Sequence, residues 1–388
     1  MPRIAGRQLV QPPGPTNVPD RVLRALATPT VDHRGPICQQ LVKDILSGFE
    51  RSFGFGDPVV MYAASGTGAW MAALSNTLSP GDKVLGFETG QFARLWSEMV
   101  SDMGLDLLLE PTDWRSPVDL GRLEQVLKAD KTHAIKAVCI VHNETSTGVT
   151  SDVAGVRRAM DAAGHPALLM VDTISGLASL PYDHKGWKVD VTIGGSQKGL
   201  MLPPGLAFNV MSAKALDANK RALLGKGYWK WGPIIAANKD GMFPYTPATN
   251  MLFALKEALV MLQEEGMQAV FARHARLAEA TRRAVQGWGL EVVCRDVKYA
   301  SNTVTAILTP DGKDADAVRN VIYDKFNISL GAGLGNWNKK IFRIGHLGDF
   351  NETMLTGVLA GVEMGLDLAG VRIQKGGVAA ALNYLAGA

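Results

Sequence analysis

Short apolar runs rich in β-branched residues alternate with amphipathic helical stretches along most of the first two hundred residues. Helical spacing of apolar positions occurs in segments 68–78, 120–128 and 153–163, which carry Gly or Pro near their ends. The apolar runs, each too short for a typical helix, are 59–62, 83–87, 135–141, 167–171, 191–193 and 206–211. This alternation predicts an α/β fold in which helices cover a mostly parallel sheet.

A different pattern follows the dipeptide Thr246-Pro247. A long helical region over 251–288 is interrupted near Gly266, and shorter strands and helices then alternate. These later elements are predicted strands 290–293, 303–308 and 341–344 and predicted helices 314–326 and 352–366. We therefore expect three parts: an N-terminal arm made irregular by its prolines, a large domain and a smaller α+β domain, with bounds 1–16, 17–265 and 266–388.

Charge and composition exclude several classes of partner. The chain carries 40 Lys and Arg against 37 Asp and Glu, a net charge of +3 with no basic stripe, so nucleic acid is not expected as a partner. No 18 apolar residues run together, so no membrane span is expected. The three cysteines lie far apart, which predicts neither a disulfide framework nor a metal site and favours the reducing cytoplasm.

A turn of small residues, Ser65-Gly66-Thr67-Gly68, follows the predicted strand 59–62 closely. Backbone N–H groups at the start of a helix bind anions, and the hydroxyl groups of Ser65 and Thr67 can add donors. The turn has neither the spacing of a dinucleotide-binding motif nor the lysine of a nucleoside-triphosphate loop. It indicates a phosphate site, although a capped strand-to-helix turn without a ligand explains the same residues about as well.

Two further strands lead directly to residues suited to chemistry. The run 167–171 ends in Asp172, and the run 191–193 leads through two glycines to Ser196-Gln197-Lys198-Gly199. A crossover connection fits between these strands, so both side chains can reach the same sheet edge. A buried carboxylate needs a cationic partner, and a desolvated lysine is activated for Schiff-base chemistry. Taken singly, Asp172 is explained by a turn and Lys198 by a solvated surface position.

Polar residues also follow the predicted strand 135–141, in the segment 142–148 (HNETSTG). His142 alone is explained equally well as a buried structural histidine. The combination is more informative, because three strands deliver polar residues to one edge of the sheet and the phosphate turn lies on a fourth strand. The pattern therefore predicts one ligand site at the carboxyl ends of the strands.

These motifs resemble those of the class V aminotransferases of fold type I, and within them the serine-glyoxylate and alanine-glyoxylate aminotransferases. The resemblance spans nearly the whole chain, and its motifs in matching order are 13–19, 65–68, 78–85, 142–149, 195–199, 243–247 and 342–348. It implies a seven-stranded, mostly parallel sheet in a large pyridoxal-phosphate-binding domain, followed by a smaller α+β C-terminal domain.

The resemblance also implies roles for residues at matching positions. Lys198 would carry pyridoxal 5′-phosphate as a Schiff base and move the reaction's proton, and Asp172 would keep the pyridine nitrogen protonated. Arg343 would hold the substrate α-carboxylate as a bidentate donor. The other implied cofactor contacts are Ser65, Gly66, Thr67 and Gln197 at the phosphate, Phe92 and Ile174 on the two ring faces, and Thr145 at the phenolic oxygen.

A homodimer with shared active sites is implied as well. The Tyr245-Thr246 segment would reach the neighbouring subunit, where Thr246 would contact the phosphate. Gly14 and the pair His33-Arg34 resemble residues at the substrate end of the pocket. The residues after Asp172, namely Thr173-Ile174-Ser175-Gly176, resemble the serine-glyoxylate branch.

Three functions are weighed. The favoured one is ping-pong transfer of an amino group from a small amino acid (serine, alanine or aspartate) to glyoxylate or a similar 2-oxo acid. Cysteine desulfuration on the same scaffold needs a thiol on a mobile loop, and the three cysteines are poor candidates because they lie in a predicted strand or lack flexible neighbours. A non-catalytic relative has no chemical need of Lys198, Asp172 and Arg343 together.

Overall fold

The structure, a computed structural model, describes residues 6–310 and 312–387, so the first five residues of the predicted N-terminal arm lie outside the described residues. The strands are β1 (Leu9–Gln11), β2 (Val59–Tyr62), β3 (Lys83–Glu88), β4 (Asp106–Pro111), β5 (Ile135–Val141), β6 (Asn143–Glu144), β7 (Val149–Thr150), β8 (Leu168–Asp172), β9 (Val191–Gly195), β10 (Ala207–Met211), β11 (Val304–Leu308), β12 (Ile328–Ala332) and β13 (Ile341–Gly345). The α-helices are α1 (Asp20–Leu26), α2 (Pro36–Phe53), α3 (Gly66–Thr77), α4 (Gln91–Asp102), α5 (Leu120–Ala129), α6 (Val153–Ala162), α7 (Ala213–Arg221), α8 (Trp231–Asn238), α9 (Thr249–Glu265), α10 (Met267–Gly287), α11 (Ala315–Phe326), α12 (Glu352–Leu368) and α13 (Gly377–Gly387).

A seven-stranded sheet forms the centre of the larger part, in the order β2-β10-β9-β8-β5-β3-β4. Only β10 is antiparallel to its neighbours, which confirms the predicted α/β fold with a mostly parallel sheet. The central strands β8 and β9 are buried along their whole length, as expected for strands that helices cover on both faces. Their carboxyl ends, together with that of β5, therefore meet at one edge.

A four-stranded sheet, in the order β1-β12-β13-β11, belongs to the C-terminal part. Its inner side chains pack with those of α10 to α13 in a second apolar cluster, which includes Leu277, Ile322 and Phe342. The smaller α+β unit is therefore present. Helix α9 ends at Glu265, and Gly266 turns the chain at a φ of 82° before α10 begins. We propose that the change of domain lies at this break.

Two predictions of local structure are wrong. The N-terminal segment is not irregular at Leu9–Gln11, because β1 pairs in parallel with β12 and precedes the first of the clustered prolines. The segment 290–293 is not a strand and makes one isolated bridge, Val292 to Ile307. Two backbone bonds join this segment to β11, from Val293 N and to Glu291 O, while the carbonyl oxygens of Val292 and Val293 accept from Arg115 at 3.2 and 2.8 Å.

Several elements are missing from the sequence-based prediction. Strand β4 lies at the edge of the seven-stranded sheet, where its residues are half-buried or exposed and include charges. Strand β12, in the smaller sheet, was not predicted either. Helices α2, α4, α7, α8 and α13 are likewise missing from the prediction, although α2 and α4 are clearly amphipathic. No helix among the described residues is both long and apolar enough to cross a membrane.

Candidate active site

One cavity of about 250 Å³ lies at the carboxyl ends of β5, β8 and β9, beside the start of α3. Most of the predicted site residues line it. They are Gly14, Ser65, Gly66, Thr67, Phe92, Thr145, Asp172, Ile174, Gln197 and Lys198. Segments far apart in the sequence thus converge on one place, as expected of a ligand site in a parallel sheet.

Lys198 is brought into this cavity by the tight turn that follows β9. Its side chain is only 8% exposed, and its amine donates a hydrogen bond to the carbonyl oxygen of Pro13. A Cβ at the next residue, Gly199, would collide with the backbone carbonyl oxygen of Leu177, so only glycine fits there. Burial, helped by the positive charge of Arg343, lowers the pKa of Lys198 to about 7. A large share of the amine is therefore neutral and nucleophilic near neutral pH.

Asp172 is the last residue of β8 and is 5% exposed. Its Oδ1 accepts a hydrogen bond from Ile174 N at 2.7 Å, and its Oδ2 accepts one from Trp70 Nε1 at 2.8 Å. Burial raises the pKa of Asp172 to about 7 against the opposing effects of these two donors and of the Lys198 charge. Because burial disfavours the charged carboxylate, a cationic ligand group would be a favourable partner for it.

The start of α3 provides the anion-binding end of the cavity. The helix begins at Gly66, and Ser65 at its N-cap makes no side-chain capping bond in the described structure, so its hydroxyl is available to a ligand. A Cβ at Gly66 would lie 2.9 Å from Ile174 Cγ1, so the glycine keeps the helix start close to the cavity wall. The first-turn N–H groups and the helix dipole favour a phosphate here.

Phe92 lies in the first turn of α4 and is positioned by a buried carboxylate. Glu144 accepts hydrogen bonds from Phe92 N at 3.4 Å, Ala93 N at 3.1 Å and Ser146 Oγ at 2.7 Å. Burial raises the pKa of Glu144, and these donors oppose that shift. Sequence reasoning assigned no role to Glu144, although a carboxylate is the group that a helix N-terminus favours.

Arg343 lies on β13 and does not line the cavity. It donates from Nη1 to the carbonyl oxygen of Thr145 and from Nε to that of Ala332, both at 2.7 Å. Because Thr145 is part of the cavity lining, the guanidinium lies directly behind the wall of the cavity. Burial lowers the pKa of Arg343 to about 10, so the group remains charged at neutral pH.

Two other predicted site residues lie outside the cavity. Thr246 is exposed, and His33 is half-buried in a turn before α2. His33 Nε2 is buried and has no hydrogen-bond partner among the described residues. Neither residue lines the site within this single chain.

All three cysteines, Cys38, Cys139 and Cys294, are buried as free thiols and none lines the cavity. Burial raises the pKa of each thiol, so none is poised as a thiolate nucleophile. Among the described residues, no cluster of His, Cys, Asp or Glu is arranged to hold a metal ion.

The hydrogen bond from Trp70 to Asp172 was not predicted from the sequence. Trp70 is 3% exposed in the second turn of α3, and its indole N–H bonds the Asp172 carboxyl. A buried tryptophan usually finds a partner for its N–H group, and that tendency was the available signal. The sequence did not reveal which acceptor would meet it, because Trp70 and Asp172 are 102 residues apart.

The sequence is similar to those of known aminotransferases. A sequence profile of the family described as Aminotransferase class-V matches residues 14–336. The serine–glyoxylate aminotransferase of Methylorubrum extorquens is 47% identical over 390 residues, which cover 99% of this chain and 97% of that protein. The L-aspartate–glyoxylate aminotransferase of Paracoccus denitrificans is 40% identical over 374 residues, which cover 96% and 94%.

The fold is also similar to that of a solved aminotransferase structure. The crystal structure of an alanine–glyoxylate aminotransferase from Nostoc sp. matches with a TM-score of 0.87 and 28% identity, over 94% of this chain and 97% of that chain. The profile match and the near-full-length identities show that this chain belongs to the class V aminotransferases.

Proposed function

We propose that this aminotransferase uses pyridoxal 5′-phosphate to move an amino group from a small amino acid to glyoxylate or a similar 2-oxo acid in a ping-pong reaction. The proposal rests mainly on one observation: a buried amine, Lys198, and a buried carboxyl, Asp172, line the same cavity beside a helix N-terminus. Relatives named serine–glyoxylate aminotransferase support serine as the first donor to test, with aspartate and alanine next.

The residues present fit this cofactor. Its phosphate requires N–H and hydroxyl donors, which the start of α3 offers at Ser65, Gly66 and Thr67. The flat ring requires apolar walls, and Phe92 and Ile174 line the same cavity. Gln197 and Thr145 add polar groups for the phosphate end and the phenolic oxygen.

When bound, the cofactor supplies an electron-withdrawing ring that stabilises negative charge at the substrate α-carbon. Asp172 would hold a proton on the ring nitrogen, since a carboxylate fixed by two donors is a suitable partner for a pyridinium. Lys198 Nζ would act as the nucleophile toward the cofactor aldehyde and as the base and acid that moves the proton. Its lowered pKa, about 7, allows both protonation states near neutral pH.

Arg343 would bind the substrate α-carboxylate, and Gly14 would form the adjacent wall of the pocket. Two of the guanidinium N–H groups already bond carbonyl oxygens, which fixes the plane of the fork and leaves other donors for a carboxylate. The charge of Arg343 also lowers the pKa of Lys198, so the two cations lie close together. His33 is proposed as a second residue at the substrate end.

We further propose a homodimer with shared active sites. Thr246 is exposed in this chain, which supports its assignment to the phosphate site of a partner. Tyr228 is also exposed, and its ring packs on that of Tyr245, next to Thr246, with centroids 4.5 Å apart, so this segment offers apolar surface for burial against another subunit. A location in the cytoplasm is proposed on the three free, buried thiols, which suit a reducing compartment.

The test is cofactor uptake followed by a donor screen. Purified protein should take up pyridoxal 5′-phosphate and absorb visible light, and the absorbance should disappear with borohydride and be missing in Lys198→Ala. Steady-state rates with serine, alanine, aspartate and cysteine against glyoxylate and pyruvate would then identify the substrates. Colourless protein that takes up no cofactor would reject the proposal, and sulfide release from cysteine faster than amino transfer would favour desulfuration instead.

A further inference from the structure

The indole of Trp70 is one of only two hydrogen-bond donors to the Asp172 carboxyl among the described residues. Trp70 Nε1 lies 2.8 Å from Oδ2, and the backbone N–H of Ile174 lies 2.7 Å from Oδ1. An indole N–H can donate but cannot accept, so this contact stabilises the charged carboxylate more than the neutral acid. The two bonds also fix the plane of the carboxyl group.

The charged state of Asp172 depends on a balance between opposing groups. Burial and the nearby Glu144 carboxyl favour the neutral acid. The Ile174 and Trp70 donors and the Lys198 amine favour the carboxylate. Because the resulting pKa is about 7, the loss of a single donor should move the group toward its neutral form at physiological pH.

We propose that Trp70 is a positioning residue that keeps Asp172 ionised and oriented toward the cofactor ring nitrogen. The inference rests on the proposed cofactor and concerns how the protein maintains the charge that the cofactor requires. A backbone N–H alone would hold only one carboxyl oxygen, so the indole supplies both the second donor and the fixed orientation.

The molecule contains a matched control in Trp96. Its ring stacks on that of Trp70 with centroids 5.8 Å apart and an interplanar angle of 11°. It is 2% exposed, and its Nε1 has no hydrogen-bond partner among the described residues. Trp96→Phe therefore removes the same aromatic volume from the same cluster as Trp70→Phe without removing a donor to Asp172.

The experiment measures the affinity of the full-length, cofactor-free protein for pyridoxal 5′-phosphate by equilibrium dialysis. The pH runs from about 6 to about 9, a range that includes the Asp172 pKa of about 7. Below its pKa, Asp172 must lose a proton before it can pair with the ring cation, so affinity falls on the acid side. A hydrogen bond to a charged group typically corresponds to about one pKa unit or more. The acid limb of Trp70→Phe should therefore move up by about one pH unit, with Kd about fivefold weaker at pH 7 and about tenfold weaker near pH 6.

Trp96→Phe should keep the wild-type pH profile, even if it lowers the thermal unfolding temperature as much as Trp70→Phe does. Replacement of Trp70 by benzothienylalanine, which has the shape of tryptophan but a sulfur in place of the N–H, serves as the second variant if Trp70→Phe does not fold or admits a water molecule. It should reproduce the shifted limb.

Coincident pH profiles for wild type, Trp96→Phe and both Trp70 variants would overturn the role of Trp70. Normal cofactor uptake by the same proteins would then leave the proposed function intact. Wild-type protein that binds no cofactor at any pH would instead reject the proposed function, and the role of Trp70 with it.

Discussion

Arg343 Nη1 donates a hydrogen bond of 2.7 Å to the carbonyl oxygen of Thr145 and so joins β13 of the small sheet to the turn between β6 and β7. A second bond, from Arg343 Nε to the carbonyl oxygen of Ala332, ties the guanidinium to the neighbouring strand β12. The arginine therefore has a fixed orientation before any substrate binds. Such preorganisation reduces the entropy cost of binding a carboxylate.

Arg343→Lys should weaken substrate binding without removing the cofactor. A lysine keeps the charge but cannot hold Thr145 O and Ala332 O while presenting a planar fork to a carboxylate. We expect KM for the amino donor to rise and kcat/KM to fall by roughly ten- to a hundredfold, the equivalent of about 1.5–3 kcal/mol for a charged hydrogen bond. Steady-state kinetics and the visible spectrum of the bound cofactor provide the measurement.

Arg319→Lys is the matched control, because Arg319 also donates from Nε to a backbone oxygen of the small domain, that of Leu330, at 3.0 Å, but bonds no residue of the cavity wall. It should leave KM nearly unchanged. Loss of cofactor absorbance in Arg343→Lys, with KM unchanged, would show that the arginine serves the cofactor instead of the substrate.

The sequence places the candidate residues at strand ends, because each follows a short apolar run either directly or after a short turn. Asp172 and Lys198 are of this kind, and both line one cavity. It could not predict that Trp70 bonds Asp172 or that Glu144 bonds the start of α4 at Phe92, since both are contacts between distant segments. The edge strand β4 was not predicted because a half-buried strand has a weak apolar pattern.

Glu144→Gln should loosen the start of α4. The carboxylate accepts from Phe92 N, Ala93 N and the Ser146 hydroxyl, whereas an amide has one acceptor oxygen and would direct its NH₂ group at one of these donors. We expect a loss of stability of about 1–3 kcal/mol and weaker cofactor binding, because Phe92 would lose its fixed position. Chemical denaturation and cofactor titration measure these two effects.

Glu98→Gln is the appropriate control, since Glu98 lies on the same helix but is exposed. It should change stability by no more than about 0.5 kcal/mol. Equal stability of wild type and Glu144→Gln would contradict the assignment of Glu144 as the cap that positions Phe92.

Lys198→Met should stabilise the cofactor-free protein while it abolishes activity. Burial lowers the pKa of Lys198 to about 7 from its ordinary value of 10.5, so the unfolded chain binds more protons than the folded chain between these values. The resulting penalty is fully present below about pH 7 and disappears as the pH rises through 10.5. The stability gain should therefore reach a few kcal/mol near pH 6 and be small near pH 10, at about 1.4 kcal/mol for each pKa unit.

Urea denaturation at both pH values measures this gain, and Lys131→Met, at an exposed lysine, should show no comparable pH-dependent gain. A gain that is equal at both pH values would mean that the shape of the methionine side chain, and not the removed charge, is responsible. The comparison thereby tests whether the protein sacrifices stability to hold a neutral amine in the site.

Gly14→Ala tests how closely the N-terminal segment encloses the Lys198 amine. Gly14 has a φ of 98°, and a Cβ there would lie 2.7 Å from Lys198 Nζ, so the substitution must strain the backbone and displace the amine. Gly6→Ala separates these effects, because Gly6 has a similar φ of 87° but no atom of the described residues within 4 Å of its Cβ position. We expect kcat to fall at least a hundredfold in Gly14→Ala, within the contribution of a well-placed proton-transfer group, and to stay near wild type in Gly6→Ala. If Gly14→Ala retains full kcat and merely unfolds at a lower temperature, the segment does not constrain Lys198 during the reaction, and the contact with the Pro13 carbonyl is structural only.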